Sequence, residues 1–407
     1  MAVFPSWLFG RPKTRHYLAI DIGSNTAIRC LRFDVRDQER TAIRKVSFEL
    51  PERVRETDLI PLIGEHLRRI LFQFVRQMER IPKRVLVGLG NHFTFNEMAV
   101  ARQNRARANE PIRPPELEGI LAEFVGSHRD RTAGGGRYTL VHLMPFRIAV
   151  DGYPVDTVTE STRGKLIEVT LFATYALEGY WSMLEGLRRT LGGIDVRFIS
   201  NQTAVAAAVT SLLGIHDALL VKIGAKITEV SLMNGGAILS TGQFDSGGNV
   251  VTAAIAGRMQ IDARSAERIK RQWDHTVLPD AARSVAADAV RGAVAQWLGE
   301  LVSFLKRDER FLLPERVLIF GGGARLTLLH RALGGERWFD ELTFLEKVDI
   351  QRLDAEAIAG RIFRNNDLLL RGPEDVALAA LAARIDHQGD RDVAARTFRA
   401  ATTHELL

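Results

Sequence analysis

The chain twice runs through the same order of patterns, strand-type alternation followed by helix-type periodicity. Residues 17–22 are an apolar run closed by the turn Gly23-Ser24-Asn25. Residues 27–33 and 41–50 follow as two further strands, so the opening reads as a three-stranded meander. A long helical pattern covers about 57–79 and stops before Pro82, and 85–89 is another buried strand. The second run starts with the apolar stretch 217–223 and turns at Gly224-Ala225-Lys226. It alternates over 228–233, turns at Asn234-Gly235-Gly236 and continues over 237–243. Laid on the first run, Asp21-Ile22-Gly23-Ser24-Asn25 matches Lys222-Ile223-Gly224-Ala225-Lys226. Two such units, each followed by helices, predict two similar lobes facing each other.

The segment between the runs does not fit the duplication. Residues 93–101 read as a strand and 104–115 as a polar, basic, proline-containing loop. Its arginines, Arg102, Arg105, Arg107 and Arg113, are expected to form a solvated face. Residues 114–125 read as a helix, with proline at its start and Glu116 and Glu118 in its first turn. A mobile stretch, 126–136, is expected before strands at 138–150 and 166–174. Together these predict a small inserted α/β domain at 84–174. The division that follows is a tail at 1–16, a first lobe at 17–83 and 175–214, the insert, and a second lobe at 215–370. Residues 371–407 complete it as helices returning to the first lobe and a C-terminal tail. Within this frame 178–191 is a helix, 196–200 a strand, 202–213 an alanine-rich helix and 282–307 a long helix. Asn201 is read as the N-cap of the alanine-rich helix.

Composition narrows the class. The 407 residues exceed one compact core, and 46% hydrophobic with 26% charged residues is the balance of a soluble globular protein. No apolar run approaches the ~18 residues of a membrane-spanning helix. The single cysteine, Cys30, excludes an internal disulfide and suits a reducing cytoplasm, the expected location. The net charge of +6 is spread out, without aromatics interleaved among the basic residues, so nucleic acid is not an expected partner.

Candidate chemistry gathers at the turns. A tight hairpin between buried strands points backbone N–H groups into a cleft, as a phosphate cradle requires. Gly23 permits close approach, Ser24, Asn25 and Thr26 offer side-chain hydrogen bonds, and Asp21 is placed to hold Mg²⁺ through water. The triplet Gly321-Gly322-Gly323, between a buried strand and a helix starting near Ala324, would let a base or sugar lie against backbone. Glu267 and Lys270, one helical turn apart, either bracket a ribose or base or form a solvated ion pair.

These segments, with Ser246-Gly247-Gly248-Asn249 and Ser265-Ala266-Glu267-Arg268-Ile269-Lys270 in the same order, resemble the FtsA and PilM branch of the actin-like ATPase superfamily over about residues 17–386. The stretch 142–146 with 150–152 is similar to the characteristic strand of that branch's strand-helix-strand-strand insert. The resemblance implies an actin-like (ribonuclease H-like) two-lobed fold and ATP with Mg²⁺ bound between the lobes. It adds Gly224, Thr228, Gly247 and Gly248 to the nucleotide contacts, while Lys226 or Lys222, where the hairpin departs from the branch, is placed to bind phosphate directly. It also implies a cytoskeletal adaptor that self-associates into filaments. An FtsA-like protein ties the FtsZ ring to the cytoplasmic membrane face in cell division, whereas a PilM-like one organises the inner-membrane platform of type IV pili. A sugar kinase of the same superfamily would need an aspartate base where Lys222 stands.

Two departures bear on turnover. The branch carries an acidic residue at the position of Lys222, so charge is reversed beside the triphosphate. It carries Glu-Pro where Asn201-Gln202 stand, and an amide cannot accept a proton from water as a carboxylate can. Nucleotide binding is therefore expected, with weak hydrolysis at most. For peripheral membrane contact, the N-terminal tail (Val3, Phe4, Trp7, Leu8 and Phe9 before Arg11, Lys13 and Arg15) is better suited than the thinly apolar stretch 390–407.

Overall fold

The computed structural model describes residues 14–23, 27–50, 55–76, 81–155, 158–159, 161–273, 279–307, 312–335, 338–365 and 369–385. The first unit comprises β1 (Arg15–Ile22), β2 (Ala27–Arg36), β3 (Glu39–Glu49), α1 (Glu56–Arg76) and β4 (Arg84–Leu89). The chain then leaves it for β5 (Thr94–Asn104), α2 (Pro114–His128), β6 (Asp130–Ala133), β7 (Gly136–Val150), β8 (Tyr153–Val155) and β9 (Leu166–Leu177). It returns through α3 (Glu178–Thr190), β10 (Asp195–Ser200) and α4 (Asn201–Leu213). The second lobe holds β11 (Ala218–Ile223), β12 (Thr228–Asn234), β13 (Ala237–Phe244), α5 (Gly248–Met259), α6 (Ala263–Arg271) and α7 (Asp280–Leu305). It continues with β14 (Arg316–Phe320), α8 (Thr327–Gly335), β15 (Asp349–Arg352) and α9 (Ala355–Ile362), and α10 (Val376–Arg384) ends the described chain.

The two lobes repeat one sheet plan. The first sheet runs β10-β4-β1-β2-β3 and the second β15-β14-β11-β12-β13. In each, the opening strand is antiparallel to the next and parallel to a later one: β1 to β2 and β4, β11 to β12 and β14. The insert is a separate antiparallel sheet, β5-β9-β7-β6, with β8 paired to β7 and α2 packed on it.

Strand alternation sends side chains of each lobe's sheet into two different cores. From β1, Leu18, Ile20 and Ile22 meet Leu59, Ile63 and Leu67 of α1 and Tyr180 and Leu184 of α3. Tyr17 and Ala19 face the other way, toward α4 and α10. From β11, Leu219, Val221 and Ile223 meet α5, α7 and α8, while Ala218 and Leu220 look back at that same central layer. The result is five layers, helix-sheet-helix-sheet-helix, with α4 and α10 buried between the sheets. Their alanines, among them Ala204, Ala206, Ala208, Ala379, Ala380 and Ala382, are small enough to be enclosed on all sides.

Three expectations need correction. The boundary placed at residue 84 falls after β4, because Val85, Leu86, Val87 and Leu89 are buried and β4 pairs in parallel with both β1 and β10. The insert sheet accordingly runs from Thr94 to Leu177. The stretch 126–136, expected to be mobile, completes α2 and forms β6, hairpinned onto β7. Arg105 is not part of a solvated face. Its guanidinium is buried, meets Glu116 at 2.7 and 3.2 Å, and donates to the carbonyls of Glu110, Gly164 and Pro111, so it organises the loop. Arg102 and Arg107 do stay exposed, each beside an acidic residue. The two tails, residues 1–13 and 386–407, and the proposed helix end at 77–79 lie outside the described residues.

The packing makes two predictions. A Cβ on Gly88 of β4 would lie 2.0 Å from Asn201 Oδ1 and 2.5 Å from Leu381 Cδ1, so strand and central helices touch there. Gly88→Ala is expected to cost about 1–3 kcal/mol of stability, read by urea denaturation. His142 of β7 is buried, and burial with the nearby charge of Arg384 pushes its pKa from 6.5 down to about 3. The unfolded state therefore binds the extra proton first, and this contribution is present above the unfolded value and lost as pH falls below it. Lowering pH from about 7 to about 5 should cost about 2 kcal/mol, and His142→Leu should flatten that slope.

Candidate functional site

Carrying the alternation one step further along the inner faces places the site. After Tyr17 and Ala19 the next inner position of β1 is Asp21, and after Ala218 and Leu220 the next on β11 is Lys222. Both stand at the C-terminal ends of strands that have parallel neighbours, the usual location of ligand crevices in such sheets.

Each faces an opposite charge directly across its hairpin. Register pairs Asp21 with Arg29 on β2 and Lys222 with Glu229 on β12. Asp21 is 2% exposed; Oδ2 lies 3.7 Å from Arg29 Nη1, and Oδ1 accepts a 2.7 Å hydrogen bond from Asn201 Nδ2. Lys222 Nζ donates to Glu229 Oε1 at 2.9 Å. The lobes thus carry one device with the charges exchanged, acid first in the first lobe and base first in the second. Burial opposes the Lys222 ammonium, but Glu229 and then Asp21 outweigh that and hold its pKa above the usual lysine value.

A third carboxylate closes the cluster. Asp375, in the 3-10 turn Pro373–Asp375 before α10, is 1% exposed. It binds Lys45 Nζ at 2.5 Å and lies 3.7 Å from Arg29 Nε. Burial raises its pKa, against the pull of Lys45 and Arg29. Three acids and three bases alternate through this cluster, the arrangement in which buried charge is tolerated.

The alanine-rich helix begins differently from expectation. Ser200, not Asn201, is the N-cap, its side chain accepting from Gln202 N at 3.2 Å. Asn201, one residue inside the helix, is released to bind Asp21. Gln202 joins three parts of the molecule. Its Oε1 accepts from Asn96 Nδ2 of the insert at 3.0 Å and from Thr241 Oγ1 of the second lobe at 2.8 Å.

The second-lobe candidates converge around the end of β11. Gly248 N and Asn249 N, at the start of α5, donate to the carbonyls of Gly224 and Ala225 at 2.9 and 2.8 Å, so the hairpin is docked on that helix. A Cβ on Gly247 would lie 2.6 Å from Gly224 O, and one on Gly323 would lie 2.3 Å from Ile223 Cγ2. Gly321, at φ +90°, would meet Ile223 O at 2.6 Å, whereas Gly322 faces open space. These glycines therefore let backbone segments pack together, and Gly322 alone of the triplet fronts free volume. Glu267 and Lys270 do not form a solvated pair. They meet at 2.6 Å, and Lys270 Nζ also reaches Gly248 O and Thr252 Oγ1 at 3.1 and 2.9 Å, anchoring α6 to the first turn of α5. Burial opposes the Glu267 carboxylate, but Lys270, Thr252 and Arg271 bring its pKa below the usual range.

Thr228 is brought to the strand but not to the cleft. It is fully buried, and its hydroxyl donates to Ser246 O at 2.6 Å and accepts from Trp297 Nε1 at 2.9 Å. Lys226 is exposed on its turn. Gly23 N closes the first hairpin to Ala27 O at 3.2 Å, while Ser24, Asn25 and Thr26 lie outside the described residues. Sequence reasoning missed Arg29, Lys45 and Asp375. Counting outward from the Gly23 turn gives Arg29 as the partner of Asp21; nothing local links Lys45 to a residue 330 positions away.

Removing one charge should expose the cluster's energetics. Lys222→Met leaves Glu229, 3% exposed, buried without its cation, and about 3–5 kcal/mol of stability should be lost. Adding Glu229→Met should recover most of it, both read by chemical denaturation at neutral pH.

No family model and no curated protein matches the sequence. Among solved structures the chain is similar to the PilM-PilN type IV pilus biogenesis complex, at 17% identity and a TM-score of 0.62, covering 90% of this chain and 98% of that one. It is also similar to the ethanolamine utilization protein EutJ from Carboxydothermus hydrogenoformans (15% identity, TM-score 0.47, 91% of this chain and 89% of that one). A third is MreB 5 of Spiroplasma citri bound to AMPPNP (10% identity, TM-score 0.46, 92% and 97%). At 17% identity and a TM-score of 0.62 the likeness to the PilM-PilN structure speaks to fold: the chain has the actin-like, two-lobed α/β fold.

Proposed function

We propose that this chain is an assembly scaffold of PilM-like type, which binds ATP in the cleft between β1 and β11 and uses it to hold a conformation rather than to drive turnover. The observation that carries the reading is likeness to a pilus biogenesis structure over 98% of that chain. The convergence of Gly224, Gly248, Lys270 and the glycine triplet at the end of β11 supports a nucleotide site, with Gly322 against the base or sugar. Asp21, Asp375 and Glu229 are each paired with a cation, and amides stand at Asn201 and Gln202. A water in the cleft therefore meets no unpaired carboxylate base among these residues, which supports slow hydrolysis.

The partner in this reading is an inner-membrane pilus protein, and the N-terminal tail provides peripheral contact with the membrane. Self-association into filaments belongs to the same reading. An FtsA-like adaptor on this scaffold would instead co-sediment with FtsZ polymers, which the PilM-like reading predicts it will not do.

Calorimetric titration with ATP, followed by phosphate release, tests the reading. Saturable binding with negligible release is expected; no binding, or turnover at the rate of a working ATPase, would overturn it. Gly322→Val should weaken ATP by about tenfold or more without lowering the melting temperature, because its Cβ enters open space. Gly321→Val should lower both.

A further inference from the structure

The Mg²⁺ ion expected at Asp21 does not fit the charges around that residue. A divalent ion in a nucleotide site takes carboxylate oxygens, phosphate oxygens and water. Asp21 has one oxygen on the amide of Asn201 and the other facing the guanidinium of Arg29. The opposite lobe presents the Lys222 ammonium where a second acid would assist the metal, and the acid of that hairpin, Glu229, lies across the strand, bonded to the lysine. Asp375 is taken by Lys45 and Arg29. A dication beside Asp21 would enter a cluster whose three carboxylates are already balanced by Arg29, Lys45 and Lys222.

The same features suit a metal-free polyphosphate. Lys222 stands at the cleft end of β11, with 11% of its side chain exposed. Lys226 projects from the adjoining turn and has no ion-pair partner among the described residues. The second lobe thus supplies ammonium groups at the hairpin where a carboxylate would otherwise need a cation bridge to reach phosphate. Ser246 Oγ is buried without a protein partner beside that hairpin, a hydroxyl whose donor the protein does not fill.

We infer that the cleft binds the phosphates of its nucleotide without a divalent cation, the Lys222 ammonium occupying the electrostatic position of Mg²⁺. This rests on the nucleotide reading of the cleft. The test titrates the full-length chain with ATP in excess EDTA and again in excess MgCl₂, and separately with MgCl₂ alone. Equal affinity within about twofold, or weaker binding in Mg²⁺ because the ion competes for ATP, is expected, with no saturable heat from MgCl₂ alone. Binding tighter in Mg²⁺ by about tenfold or more would overturn the inference and leave the nucleotide reading standing. No binding in either buffer would remove both. Lys222→Gln is expected to lose affinity in EDTA, and Lys222→Asp to bind only when Mg²⁺ is added. The melting curve of each variant must first show a cooperative transition, and the wild-type comparison decides the matter if neither variant folds.

Discussion

The layer formed by α4 and α10 sets the geometry on which everything else depends. Two sheets of the same plan turn their inner faces toward it, and its alanines fill the space between them. A helix buried on all sides must be apolar all round, and small residues let both sheets approach. The separation of the lobes is thereby fixed by packing, and so is the distance between the ends of β1 and β11. Where the helical layer ends, the inner faces continue for one more residue on each side, and those residues are Asp21 and Lys222. The cleft begins where the hydrophobic core can no longer cover the strands.

At that edge the protein handles charge by alternation. Asp21 and Arg29 oppose each other on one hairpin, Lys222 and Glu229 on the other, and Asp375 with Lys45 fastens the turn before α10 to the first lobe. Cross-strand ion pairs are modest when solvated but matter more in partly buried settings, where an unpaired member is expensive. The exchange of sign between the lobes puts a carboxylate on one wall and an ammonium on the other. Asn201, freed from capping by Ser200, supplies a neutral donor that completes the shell of Asp21. Through Gln202 the same helix start also touches the insert and the second lobe, so three parts of the molecule meet within one helical turn.

The glycines illustrate how a motif can be legible while its physical reason is not. Gly247, Gly321 and Gly323 stand out in the sequence as candidates for ligand contact. In the fold each is required because another backbone or Ile223 comes too close for a side chain, which brings the hairpin, α5 and the strand end of β14 together. They build the site by packing. Gly322 is the exception, and no feature of the sequence distinguishes it from its neighbours.

What the sequence determined by itself was the duplication. Period-two alternation broken at Gly23 and Gly224 gives two meanders, because strand alternation and turn chemistry are local properties, and the order of the motifs gives the resemblance that implies the actin-like fold. Set against the branch that the motifs resemble, it also implied a reversal of charge at Lys222. Only the tertiary structure decided what that reversal means. Register places Glu229 opposite Lys222, the central layer sets Lys222 against Asp21, and a turn distant in the chain brings Asp375 to Lys45. It also decided that Arg105 is buried, that β4 belongs to the first lobe, and that Asn201 binds a carboxylate rather than capping its helix. Each of these depends on which surfaces are buried against which, and burial is a property of the assembled layers rather than of any window along the chain.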